Sequence, residues 1–274
     1  MYPPAKHMLR DMQFSLAKNH GELVCRAPVV NEILNTRGFV RAGFIATLID
    51  AYAARRAVDE CFPDWVVTSG LSFQMTRPMS ANVACARGRV LRKGKGTVVY
   101  EVELFEENIQ GEQIGDACGF ATVTFGRLPK RENNTTEYPK FDDGDEVKFA
   151  LGNSQLDKPL IEQFGIRVLN PITGDVEMNV TNYATNRLDA LQGGAIATLA
   201  DYAAELLCEQ LLQQQLMSSD MELHYLALGK IGPVRTRSRM VRQRAESAIV
   251  RVEIYDAGAA DRLMCVANVT LLKQ

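Results

Sequence analysis

Asp50 and Asp201 each interrupt an alanine-rich apolar run, Asp50 eight residues after Ala42 and Asp201 eight residues after Gly193. A carboxylate in such a run is costly to bury unless it is paired or put to use. Gly193 and Gly194 stand where a helix should begin, and a helix start offers free N–H groups and about half a positive charge. Glycine there lets a ligand carbonyl approach the backbone closely. A helix start that holds a developing oxyanion, with a carboxylate that activates water or attacks directly, is the equipment of acyl-group hydrolysis. The residues alone leave base and nucleophile equally open. The structural reading stands beside the functional one: either aspartate could cap a loop or pair with an arginine, and Gly193-Gly194 could serve close packing.

The phrase occurs twice. Residues 43–53 and 194–204 share seven identities in eleven positions, with Gly43, Ile45, Ala46, Thr47, Leu48, Asp50 and Ala53 recurring 151 residues later. At an offset of 150, Arg87, Arg89, Arg92, Val102 and Glu103 recur as Arg237, Arg239, Arg242, Val252 and Glu253. At 146, Ala121, Val123 and Thr124 recur as Ala267, Val269 and Thr270, so the second copy has a shorter hairpin near Ala257–Ala260. An internal repeat of this kind has to be settled before any fold is assigned.

Stepping through the elements that must position these residues, the pattern predicts a strand over Leu23–Val30 and a buried helix over Gly43–Glu60 stopped by Pro63. Strands follow over Val66–Met75, Ala81–Lys93, Thr97–Glu106 and Ile114–Arg127. Residues 5–18 read as a short helix or the lead into a first strand. Leu128–Asp145 is polar, with Pro129, Pro139 and Asn133-Asn134, and residues 146–165 read as a helix or extended connector. The second copy repeats the plan, with strands over Ile166–Leu169 and Val176–Val180, a second helix reaching Gln215, and strands from Met221 onward. One long helix followed by tightly connected strands implies an antiparallel sheet with a helix packed on it. The expected organisation is a first domain over 1–127, a linker over 128–160 and a second domain over 161–274.

Composition narrows the function classes. The chain has 274 residues, 46% of them hydrophobic and 23% charged, as expected of a globular protein. A net charge of −2 makes no electrostatic case for nucleic acid. No apolar run approaches the ~20 residues of a membrane span, and the N-terminal residues lack a signal-peptide core, so a cytoplasmic location is expected. Six scattered cysteines without a Cys-x-x-Cys pair read as free thiols, and three histidines make a multi-histidine metal site a poor expectation.

The repeated phrase resembles the phenylacetic-acid-degradation type of acyl-CoA thioesterases. Their pattern is an Asn, then His-Gly-Gly six residues later, then a buried helix with Asp eight residues past the first Gly. Asn186, Gln192-Gly193-Gly194 and Asp201 match at those spacings in the second copy, as do Asn35, Arg41-Ala42-Gly43 and Asp50 in the first. Gly38 fits the small residue often found between that Asn and the His. The family's His is replaced in both copies, by Arg41 and by Gln192. The resemblance covers roughly residues 12–127 and 164–273. It implies an α+β tandem hotdog fold, in which each copy wraps a curved antiparallel sheet around a long central helix and the two copies form a pseudo-dimer.

The resemblance also implies sites between two hotdog units, with the loop and helix start from one and the acid from the other. One site then pairs Asp50 with Asn186, Gln192, Gly193 and Gly194. The other pairs Asp201 with Asn35, Arg41, Ala42 and Gly43. The first is favoured because it keeps Gly-Gly at the oxyanion position. In the second, Arg41 could hold Asp201 as a spectator ion or bind a substrate anion. A hydroxyl after the helix often assists in this family, which nominates Thr68 and Ser218. The implied activity is hydrolysis of an acyl-CoA or related thioester, with coenzyme A as part of the substrate and no separate cofactor or metal. Further homodimerisation through sheet surfaces is expected. A hotdog dehydratase is disfavoured because no His lies in either phrase. A non-catalytic acyl-thioester binding or regulatory protein is the rival of a different class.

Overall fold

Alternating burial along the strands builds the core from one face of a sheet, the period-two pattern that β geometry demands. In the computed structural model, residues 3–80, 82–129 and 141–273 are described. The first half holds α1 (Met8–Asp11), β1 (Ser15–Asn19), β2 (Glu22–Pro28), α2 (Ala42–Cys61), β3 (Trp65–Met75), β4 (Val83–Lys93), β5 (Thr97–Glu107) and β6 (Gly119–Leu128). Next come β7 (Glu146–Lys148) and α3 (Leu160–Gln163). The second half holds β8 (Arg167–Asn170), β9 (Asp175–Met178), α4 (Gly193–Leu212), β10 (Met217–Tyr225), β11 (Val234–Gln243), β12 (Ser247–Asp256) and β13 (Arg262–Leu272). On β12, Ala248, Val250, Val252 and Ile254 all point inward and are fully or almost fully buried.

The strands form one sheet in the order β7-β1-β2-β4-β5-β6-β3-β10-β13-β12-β11-β9-β8, and every pairing is antiparallel. The halves meet where β3 pairs with β10. That register is symmetric about Ser72–Glu222, with Leu71 opposite Leu223 and Phe73 opposite Met221. Helix α2 packs on β2 to β6, α4 packs on β9 to β13, and the two helices pack on each other. Pro63, which lacks an N–H, follows the end of α2. Gln213, at φ 52°, turns the chain out of α4.

The helices approach most closely at two reciprocal points. A Cβ added to Gly43 would fall 2.4 Å from the Thr198 Cα, and one added to Gly194 would fall 2.8 Å from the Thr47 Cα and 2.0 Å from its Oγ1. Each threonine folds its hydroxyl back onto its own helix: Thr47 donates to the Gly43 carbonyl at 2.8 Å and Thr198 to the Gly194 carbonyl at 2.9 Å. The start of each helix therefore lies against the first turns of the other.

Several sequence expectations change in detail. Residues 5–18 supply both the short helix α1 and the strand β1. The expected strand over Ile114–Arg127 begins only at Gly119, because Gly115 takes φ 65° and the preceding loop turns back to Glu106. The segment read as a connector contributes β7, which pairs with β1, and then α3. Residues 130–140, with Pro139 and Asn133-Asn134, lie outside the described residues, as do Met1, Tyr2, Ala81 and Gln274. The hairpin that the repeat drift placed near Ala257–Ala260 is a short 3-10 turn over Ala257–Ala259. All six cysteines are buried free thiols. Among the described residues, no helix is long and apolar enough to cross a membrane.

Replacing Gly43 or Gly194 by Ala should each lower stability, because the added atom collides with backbone of the facing helix rather than with a movable side chain. The expected cost is ~1–3 kcal/mol, read as a lower urea midpoint. Gly152→Ala, whose added Cβ meets nothing within 4 Å, is the matched control. Equal midpoints for all three variants would show that the helices can separate without cost.

Candidate functional site

The loop before each helix is held by an asparagine. Asn35 Oδ1 accepts from the N–H of Arg37 at 2.9 Å and of Phe39 at 3.1 Å. Asn186 Oδ1 accepts from Leu188 at 2.8 Å and Ala190 at 3.3 Å. These are Asx-type turns, in which a short side chain satisfies its own loop. The left-handed residue of each loop falls at Gly38 (φ 80°) and at Asp189 (φ 55°). Both asparagines therefore shape the approach to a helix start, and their Oδ1 atoms are committed to their own loops. The resemblance places Asn186 in one candidate site and Asn35 in the other, and each anchors the loop that enters a helix start.

Because the helices run past each other in opposite directions, the start of one faces the aspartate of the other. Two junctions result. In the first, Asp50 of α2 lies beside Gly193 of α4: a Cβ placed on Gly193 would be 3.2 Å from Asp50 Oδ2. Thr68 Oγ1, on β3, donates to Asp50 Oδ1 at 2.8 Å. Tyr225, at the end of β10, donates its hydroxyl to the Gly193 carbonyl at 3.0 Å. Gln192 is the residue before the helix, and its side chain makes no capping bond. The Gly194 N–H meets no protein acceptor among the described residues.

The second junction has the same plan and different contents. Gly43 N–H donates to Asp201 Oδ2 at 3.2 Å, so the amide that would greet a ligand is already occupied. Arg41 reaches past Asp201 to Glu205, one helical turn further along α4, with Nη1 2.6 Å from Oε2. The partner of Arg41 is thus Glu205, where sequence reasoning had offered Asp201. Ser218 stands near Asp201, and its Oγ and the Asp201 Oδ1 are both fully buried without closing a hydrogen bond of ordinary geometry. Ala42 is buried in the first turn at 2% exposure.

Exposure separates the junctions consistently. Asp201 is 0% exposed, Ser218 4% and Arg41 8%, whereas their counterparts Asp50, Thr68 and Gln192 are all partly exposed. Gly193 is also partly exposed and its counterpart Ala42 is buried. Protonation follows from the same surroundings. Burial pushes the Asp50 carboxyl up to about 6, opposed only by the Thr68 hydrogen bond. Burial also raises Asp201, against Arg41, Ser218 and the Gly43 amide, which all favour its charged form. Burial and the adjacent Asp201 carboxyl push Glu205 up. Burial lowers Arg41, but the two carboxylates outweigh it and raise the guanidinium. Two acids thus share one cation in the second junction, and in the first a single carboxylate has no cation beside it among the described residues.

Sequence reasoning missed Tyr225 and Glu205. Tyr225 becomes visible only through the β3–β10 register, and burial, Cys265 and Asp50 all raise its hydroxyl. Glu205 falls where the first helix has Ala54, a difference outside the eleven matched positions. The paired arginines stay on the outer sheet face. Arg87 bonds Glu103 at 3.0 Å and lies over Phe105, and Arg237 lies over Tyr255. Phe44 stacks on Phe14 in the core, with ring centroids 5.6 Å apart. Among the described residues, no group of three His, Cys, Asp or Glu is placed to hold a metal ion.

Residues 190–269 match the family model of the Thioesterase superfamily. No curated protein matches the chain. Among solved structures, a putative thioesterase II from Thermobifida fusca YX is 16% identical with a TM-score of 0.61, covering 98% of both chains. A putative thioesterase from Novosphingobium aromaticivorans is 14% identical at TM-score 0.62, covering 94% of this chain and 98% of the other. A protein of unknown function with a hot dog fold from Alicyclobacillus acidocaldarius is 12% identical at TM-score 0.60, over 98% of both. At these identities the likeness establishes the fold: a hotdog arrangement over nearly the whole chain.

The raised carboxyl of Asp50 makes the protein less stable than it could be at neutral pH. Its folded value, about 6, lies above the unfolded value of 3.8, so its favourable contribution is full below 3.8 and is lost as pH rises through 6. Asp50→Asn keeps an acceptor for Thr68 and does not titrate. The variant should gain stability over the native protein across pH 4–6, reaching about 2–3 kcal/mol by pH 7.5. Urea unfolding at several pH values checks this, and a difference that does not change with pH would refute it.

Proposed function

We propose that the chain is a hydrolase of acyl-CoA or related acyl thioesters, working at the junction of Asp50 with the start of α4. The observation that carries this is a partly exposed carboxylate facing a glycine helix start, with no cation beside it and no acceptor on the Gly194 N–H among the described residues. The family match over residues 190–269, which includes that helix start, supports the thioester as substrate class.

In this reading the thioester carbonyl lies at the start of α4, its oxygen directed to the Gly194 N–H. Thr68 holds Asp50 Oδ1, leaving Oδ2 toward Gly193. Asp50 takes a proton from water as the water oxygen attacks the carbonyl carbon. The oxyanion that forms is stabilised by the amide and the positive end of the helix, and one such donor is typically worth ~2.7–4 kcal/mol. Collapse breaks the carbon–sulfur bond, and the proton held by Asp50 goes to the departing thiolate. Tyr225 fixes the first turn of α4 by bonding the Gly193 carbonyl. No metal or cofactor enters these steps. The organisation that goes with this is two hotdog units, over 1–127 and 161–274, joined through 128–160 into a pseudo-dimer. It is supported by the symmetric β3–β10 register and the reciprocal helix contacts.

The test is turnover of an acyl-CoA panel, from short chains to long and aryl ones. Wild type should hydrolyse at least one member. Asp50→Asn should lose on the order of 10³-fold or more in kcat, and Thr68→Ala should lose less. Because the base must be ionised, kcat/KM should rise with pH through about 6. Binding of the panel without turnover would reject hydrolysis and favour a non-catalytic acyl-thioester binding protein. A flat pH profile between 5 and 7 would reject Asp50 as the base.

A further inference from the structure

The second junction repeats the architecture of the first, yet three substitutions change what it can admit. Arg41 stands in place of Gln192, Glu205 in place of Ala54, and Ala42 in place of Gly193. The first two meet each other. Arg41 precedes the first residue of α2 and Glu205 lies one turn beyond Asp201 on α4, so their 2.6 Å contact ties the helix start to the turn beyond the aspartate. Their side chains are only 10% and 17% exposed. At the first junction the same two positions hold Gln192, whose side chain does not cap its helix, and the methyl group of Ala54, so the two cannot form such an ion pair.

We propose that the Arg41–Glu205 ion pair is a seal: it shuts the second junction to thioester substrates, so that the chain binds one substrate, at the first junction. The inference rests on the proposed function for the identity of the ligand. The seal and the occupied amide act together. Behind the ion pair, Asp201 is fully buried and bonded to Gly43 N–H, so a carbonyl would have to displace both to enter. Arg41 and Glu205 matter as a pair, because removing either alone leaves the other charge buried without its partner. The matched replacement is therefore Arg41→Gln with Glu205→Ala, which installs the residues the first junction already uses.

The experiment is calorimetric titration with an acyl-CoA that the wild type turns over, in an Asp50→Asn background where the ligand stays intact. Asp50→Asn should bind one equivalent. Asp50→Asn with Arg41→Gln and Glu205→Ala should bind two, the second at least tenfold weaker because Ala42 still crowds the helix start. Two equivalents bound by Asp50→Asn alone would overturn the seal without touching the proposed function. So would a single equivalent bound by the triple variant once its cooperative unfolding shows that it folds. If the triple variant does not fold, the stoichiometry of Asp50→Asn still decides, since two equivalents refute the seal and one upholds it. No turnover by wild type and no binding by any variant would overturn the proposed function and the seal with it.

Discussion

The close crossing of α2 and α4 is the constraint on which the rest depends. Glycine at 43 and 194 lets each helix start press on the backbone of the other helix at Thr198 and Thr47. Antiparallel passage then carries Asp50 to Gly193 and Asp201 to Gly43 without any loop having to place them. The β3–β10 pairing fixes the same relation from the sheet side, and Thr68 and Tyr225 on those strands approach one junction from opposite halves of the chain. A site built on two helices and two strands is held by packed elements, which position groups more tightly than loops can.

Much of this was legible because a repeat transmits three-dimensional information along the chain. The Asp-Gly spacings, the helices and most strands follow from the pattern of 43–53 and 194–204 and the strands after each. What stayed illegible was everything that depends on which atoms meet across the halves. Glu205 looked like an ordinary polar residue on a helix until α2 was laid against it. Tyr225 looked like a strand aromatic until the register brought its hydroxyl to Gly193. The asparagines were read as possible site groups because their spacing matched a motif. Their Oδ1 atoms accept from their own loops, an Asx turn at the entry to each helix, which the spacing alone does not reveal. The late start of β6 was hidden because Ile114 and its neighbours have strand-like composition, while the conformation at Gly115 forbids extended pairing.

Few sequence differences separate the two junctions, and they change the partners of each carboxylate. A carboxylate near a helix start is stabilised when it accepts the helix amide and lies near a guanidinium, as Asp201 does. Burial raises Asp201 as well, against those contacts. Asp50 differs in its partners: it has one hydroxyl and, among the described residues, no neighbouring cation, and burial raises its affinity for a proton toward neutrality.

Covalent linkage of the halves is what permits this difference. In a dimer of identical units, a change that adds Arg41 to one junction adds it to both, and the helix start facing Asp50 would carry the charge as well. With both copies in one chain, Gln192 and Ala54 leave one junction without the ion pair that Arg41 and Glu205 make across the other. The closed junction then contributes to the packing of the helices on which the open one relies. Fixing α2 against α4 through Gly43–Asp201 and Arg41–Glu205 also fixes where Asp50 stands relative to Gly193, since both contacts belong to the same helix pair. A buried ion pair is weak evidence for stability in itself. This one joins the start of α2 to the middle of α4, the same helix pair that brings Asp50 beside Gly193.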